Sequence, residues 1–226
     1  MPGRSFLASY HPLVETRAGR MAIRDHGLPP FIDGSCRREP DFESSYPSIS
    51  ATCRAGKFAP RLQEGDRVAY LTVKRKYPDA LEPVRYLVAV LRVIKRFGSH
   101  IEAAAWYLQR GQPIPSNCFV DGNSPKEFHL TNGKIPDEDR ERLKGDVDPP
   151  KVIRVWDRSY RSRITTWPVF LATEADLLDL NRPPCLSDDQ LRAIFGGKIP
   201  CTENPARIAA RQMDRLVDLG KQASAG

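Results

Sequence analysis

Two stretches carry the clearest hydrophobic patterning in the chain. Arg67-Val68-Ala69-Tyr70-Leu71-Thr72-Val73-Lys74 follows a Glu64-Gly65-Asp66 turn and is rich in β-branched and aromatic residues. Its length and composition predict a strand. Val84 to Ile94 is almost continuously apolar and valine-rich, which predicts a strand buried on both faces. Ser5 to Tyr10 and Ser48 to Cys53 read as shorter strands, and Lys151 to Trp156 alternates as a strand does. Trp167 to Ala172 is a further candidate, placed at a sheet edge by Pro168.

Helical signals are concentrated elsewhere. Ser99-His100-Ile101-Glu102 has the form of a capping box, with Gly111 positioned to end the helix. Thr173 to Asp176 opens a short helix, and Ser187-Asp188-Asp189-Gln190 caps another. Asn204-Pro205 reads as a cap followed by proline in the first turn, and Ile208, Met213, Leu216 and Leu219 form an apolar face. Between His11 and Pro47 the chain is a long irregular excursion rich in Gly, Pro, Asp and Arg. The expected architecture is α+β. A core over residues 1–172 carries a small mixed or antiparallel barrel with flanking helices, and C-terminal helices over 173–226 pack on it.

Charge narrows the function. The chain has a net charge of +7, and the segment from Arg54 to Arg96 holds eleven basic residues against four acidic ones, an excess equal to that of the whole chain. A second basic stretch runs from Lys151 to Arg163. Such clustering favours a polyanionic partner, and nucleic acid is the expected one. No apolar run approaches the ~20 residues needed to span a bilayer. With no signal-peptide core after the N-terminus, a cytoplasmic protein without a membrane partner is expected. The five cysteines are scattered and odd in number, unlike a disulfide framework.

Candidate phosphate contacts are Arg24, Arg54, Lys57, Arg61, Lys74, Arg75 and Lys76. Tyr77 and Tyr160 lie within polar, basic segments and are candidates to stack on a base, while Asn117 and Asn123 are candidates to read its edge. For catalysis, Asp25 beside His26 offers a proton-transfer pair, and Cys118 a nucleophile. No cofactor or metal is expected. Phosphate-loop, dinucleotide-fold and serine-hydrolase motifs are absent from the sequence. His100-x-Glu102 and Pro184-Cys185 mimic a zinc-deaminase signature, but Asp188 stands where its second cysteine belongs.

The Gly65-Asp66 turn between residues 60 and 97, followed by two hydrophobic strands, resembles a PUA-like barrel of the EVE/ASCH type. A wider set of words runs Arg24-Asp25-His26-Gly27, then Pro-Phe-Ile-Asp-Gly at 30–34, Thr52-Cys53-Arg54, and Arg61 before Gly65-Asp66. Over residues 5–125 this order resembles the nucleotide modification-associated domain family. The resemblance implies a DNA-modification or defence setting, with DNA the more expected polymer than RNA. It implies a domain that recognises a modified or flipped base. The alternative is a hydrolase or transferase acting on a nucleotide or base.

Overall fold

The computed structural model describes residues 3–52, 54–202 and 204–224. Its strands are β1 (Ser5–Tyr10), β2 (Ser48–Ser50), β3 (Arg67–Thr72), β4 (Arg85–Phe97), β5 (Phe170–Leu178), β6 (Cys185–Leu186) and β7 (Ala206–Ile208). The helices are α1 (Arg17–His26), α2 (His100–Gln109), α3 (Asp137–Leu143), α4 (Pro149–Thr166), α5 (Asp188–Phe195) and α6 (Ala210–Ser224). One mixed sheet has the order β2-β5-β4-β3-β1-β7, with β6 pairing to β4 beyond the end of β5. The β1–β3 pair is parallel and the other pairs are antiparallel. The sheet curls into a half-barrel.

The sheet is apolar on both faces, as the buried run Tyr86 to Leu91 of β4 requires. Phe6, Ala8, Tyr10, Val68 and Tyr70 share one core cluster, while Leu7, Ala69 and Leu71 share another. Across β3, Tyr70 pairs with Ala89 but Leu71 pairs with Leu87, so Val88 is an extra residue in β4. That bulge restores the alternation on either side of itself and sharpens the local twist. Two further register shifts against β5 leave Asp176 of β5 and Ile94 of β4 as extra residues. Helices α5 and α6 cover the second face with Leu191, Ile194, Met213, Leu216 and Val217.

Several elements depart from the sequence expectations. Residues 151–156 lie in α4, not in a strand, because Val152, Trp156 and Tyr160 are buried at four-residue spacing. Alternation over six residues cannot distinguish the two periods. Strand β5 lies between β2 and β4 rather than at an edge, and Pro168 precedes it. Thr173 to Asp176 continue β5 instead of starting a helix, so a division at 172 falls inside a strand. The C-terminal segment also supplies β6 and β7, hence it is not an all-helical appendage. Asn204-Pro205 leads into β7, which pairs with β1, and α6 begins only at Ala210.

The excursion after β1 contains α1, whose Thr16 hydroxyl caps the Gly19 amide. Only Gly19 and Ala22 of α1 are buried, too few to print a period in the sequence. Both expected capping serines do cap: Ser99 accepts from the Glu102 amide, and Ser187 with Gln190 forms the complete reciprocal box. Among the described residues, no helix is long and apolar enough to cross a membrane.

Candidate functional site in the open seam of the sheet

Strands β2 and β1 are separated by three strands in the sheet order, yet Ile49 and Ser50 of β2 line the same cavity as Ser9 and Tyr10 of β1. The cavity therefore occupies the gap that the curl of the sheet leaves open. Its volume is about 470 Å³, within the range of small-molecule sites. Tyr10, Phe58 and Tyr70 supply aromatic walls, and Asp33, Glu39, Arg54 and His11 supply ionisable groups.

Two consecutive arginines hold the loop that carries the acids. Arg38 is buried and donates to the carbonyls of Asp33, Ser35 and Leu130 at 2.6, 3.2 and 2.9 Å. Arg37, also buried, donates to Asp157 at 2.6 Å and to the carbonyls of Ser116 and Asn123, each at 2.9 Å. Its guanidinium lies over the Phe119 ring, 4.5 Å from the centroid. Buried charges persist only when paired or hydrogen-bonded, so these arginines fix the loop at several points.

Glu39 follows them and is buried among four donors. Its carboxyl accepts from the Ser50 amide at 3.0 Å, the Ser50 hydroxyl at 2.6 Å, the Thr52 hydroxyl at 3.0 Å and Asn117 Nδ2 at 3.0 Å. Burial pushes this carboxyl up to about 8, against the opposing pull of Ser50, Asn117 and Thr52. Asp33 is likewise raised by burial, opposed by hydrogen bonds from Ser35. Tyr10 donates to the Phe31 carbonyl at 2.9 Å, and burial holds its phenol well above the usual value.

The mouth has a different character. Arg54 donates to the Ser9 carbonyl and hydroxyl at 3.0 and 3.1 Å, which brings a guanidinium to the rim. Its backbone is left-handed, with φ of 54°, a conformation non-glycine residues seldom adopt. His11 lies 2.9 Å through Nδ1 from Glu15 Oε2. Burial disfavours the Glu15 charge, but the His11 hydrogen bond and the nearby Lys134 and Arg75 cations hold the carboxyl below its ordinary value. A carboxylate accepting from Nδ1 leaves Nε2 as the ring's basic nitrogen.

No family model, curated protein or solved structure matches the chain. Of the words behind the family resemblance, two converge here: Asp33 and Arg54 both line the cavity, whereas Arg24 to Gly27 and Arg61 do not. Cys53 lies outside the described residues. The Gly65-Asp66 turn is a structural clamp, since Asp66 accepts from the Arg4 amide at 2.7 Å and the Gln63 amide at 3.0 Å.

The expected catalytic residues are not part of the cavity. Asp25 is exposed on α1 and holds Arg24 at 2.7 Å. His26 stacks against His129, with ring centroids 4.7 Å apart. Cys118 is fully buried beside α2, its Sγ donating to the His100 carbonyl at 3.2 Å, and burial pushes the thiol up to about 12. Such a thiol is a poor nucleophile. His100 is buried too, accepts from the Phe119 amide through Nδ1, and is lowered to about 4 by burial and by Arg37. Among the described residues, no three His, Cys, Asp or Glu side chains gather as a metal site requires.

The basic run is less open than its sequence implies. Lys74 pairs with Asp188 at 2.7 Å and Arg75 with Glu15 at 2.5 Å. Arg67, Arg85, Arg92 and Lys95 also meet carboxylates from distant segments. Lys57, Arg61 and Lys76 remain exposed. Tyr77 and Tyr160 belong to the core, Tyr77 against Tyr86 and Tyr160 on the buried face of α4 beside Trp156. Asn117 supports Glu39, and Asn123 staples its own loop by donating to the carbonyls of Pro115 and Cys118.

Glu39, His11 and Glu15 escaped the sequence reading. Glu39 lies in Arg37-Arg38-Glu39-Pro40-Asp41, a charge-dense run that resembles a solvated loop. The available signal was the length of the excursion itself, since long ordered loops often carry function.

Proposed function

We propose that the seam cavity receives a single nucleobase, presented either by a nucleotide or by a base turned out of a nucleic-acid strand. The observation that carries this reading is the juxtaposition of aromatic walls with a buried, hydrogen-bonded carboxyl and a rim arginine in one cavity. A base needs an apolar slot for its faces and a donor–acceptor group along its edge. A carboxyl whose proton is retained near neutrality supplies both donor and acceptor, which suits Glu39. Arg54 would meet a phosphate at the mouth. The family resemblance adds a DNA-modification setting, in which the base recognised would carry a modification within a PUA-like frame.

A second reading, an enzyme acting on the bound base or nucleotide, is favoured by His11, which lines the cavity and is held through Nδ1 by Glu15. An imidazole oriented by a carboxylate is a suitable general base.

Calorimetric titration with nucleosides and nucleoside monophosphates, modified and unmodified, tests the proposal. Arg54→Ala is expected to weaken monophosphates by roughly tenfold to a hundredfold, the worth of a hydrogen bond to a charged group, while leaving nucleosides unchanged. Absence of binding by every base-bearing ligand would refute it. Product formation in the same mixtures, lost in His11→Ala, would favour the enzymatic reading.

A further inference from the structure

The alternating segment that proves to be helical creates a surface invisible in a strand reading. In α4, Lys151, Arg154, Val155, Arg158 and Ser162 recur at helical spacing and line one groove with Arg142 of α3. Among the described residues, no carboxylate lines this groove. Arg142 and Lys151 are anchored by Asp139 and Asp146, at 3.1 and 2.5 Å. Arg154 and Arg158 are exposed and make no ion pair among the described residues. Like charges four residues apart on a helix repel one another, so an unpaired pair here costs the fold without a compensating contact.

Arg154 also lines an adjoining groove of opposite character. That second groove is formed by Phe128, Pro149, Pro150 and Ile153, with His129 at its side and Glu127, which pairs with His129 at 3.4 Å, on its edge. A cationic wall thus meets an apolar, aromatic floor at one shared arginine. This combination matches a strand of nucleic acid whose phosphates follow the cations while an unpaired base stacks on a ring. A duplex keeps its bases stacked inside and would leave the apolar floor unused.

We infer that the α3–α4 face is a binding site for single-stranded nucleic acid, separate from the seam cavity, with Arg142, Lys151, Arg154 and Arg158 on phosphates and Phe128 under a base. The helix leads from this face toward the cavity, because Arg163 in its last turn donates to the Thr52 carbonyl at 2.5 Å, two residues before Arg54. The inference does not depend on what the cavity binds.

The test is the affinity of the full chain for a fluorescent thymidine oligonucleotide across a salt series. Arg154→Glu/Arg158→Glu is expected to lower the slope of log K against log salt by about 1.4, from ~0.7 per phosphate contact on a single strand. Phe128→Ala is expected to weaken binding roughly fivefold to a hundredfold with the slope unchanged, since stacking releases no counterions. Circular dichroism reports whether that variant is folded, and the arginine pair, being exposed, provides the test independent of it. Arg211→Glu/Arg215→Glu on α6 makes the same charge change at the same spacing on exposed positions and is expected to leave the slope unchanged. The inference is overturned by an unaltered slope in the α4 variant or by an equal loss in the α6 control. Tighter binding to the matched duplex, or displacement by polyglutamate as effective as by unlabelled oligonucleotide, would also overturn it.

Discussion

Replacing Glu39 by glutamine removes one ionisable group from the seam cavity while nearly preserving its volume. In the wild type, burial raises the carboxyl from an ordinary 4.5 to about 8 in the folded state. The unfolded chain therefore releases this proton first as pH rises, and the stability contributed by the neutral carboxyl is lost between those two values. A displacement of that size is worth roughly 5 kcal/mol, at about 1.4 kcal/mol per pH unit. Glutamine does not titrate, so the difference between the two proteins isolates this group from every other carboxylate. Below pH 5 the variant is expected to be less stable by about 1–2 kcal/mol. Its single acceptor oxygen must serve both the Ser50 amide and Asn117, although the Ser50 and Thr52 hydroxyls can turn to accept. By pH 8 the order is expected to reverse. Urea unfolding of both proteins at intervals from pH 5 to 8 measures the difference directly. A difference independent of pH would refute the reasoning. So would one that increasingly favours the wild type as pH rises, because the four donors would then be holding a carboxylate.

Other consequences are simpler to state. Arg37→Ala leaves the buried Ser116 carbonyl and the part-buried Asn123 carbonyl without their donor and takes a charge partner from Asp157, so a loss of about 3–5 kcal/mol in urea unfolding is expected. Among Cys36, Cys118, Cys185 and Cys201, alkylation of the native protein should modify the exposed Cys185 and Cys201 well before the buried pair, as peptide mass spectrometry would report. Ser187→Ala removes a complete capping box from α5 and should cost about 1 kcal/mol, read from the urea midpoint at constant m-value.

The strands that were legible in the sequence were those whose burial needs no partner information. The valine run of β4 and the turn-bounded β3 announce themselves by composition, and Ser99 and Ser187 mark helix starts by local hydrogen-bond chemistry. Helix α4 misled because six residues of alternation fit both periods until Tyr160 is counted with Val152 and Trp156. The basic run misled for a different reason. Asp188, Glu15, Glu174 and Asp176, which neutralise much of it, lie far away in sequence and meet it only through the fold. Asp33 and Arg54 were visible as members of short words, but Glu39 becomes a site residue only when β2 and Asn117 close around it. Long-range enclosure of a charged loop leaves no periodic signature.

The central claim, that the seam cavity receives a base, is tested most directly by mapping amide chemical shifts while a nucleoside monophosphate is titrated into isotopically labelled protein. The account predicts saturable shifts at Ser9, Tyr10, Ser50, Arg54 and Tyr70, with β1 and β2 responding together. Glu39→Gln should alter their ligand dependence. Shifts confined to α3 and α4, or no saturable shift at the cavity with any base-bearing ligand, would contradict it.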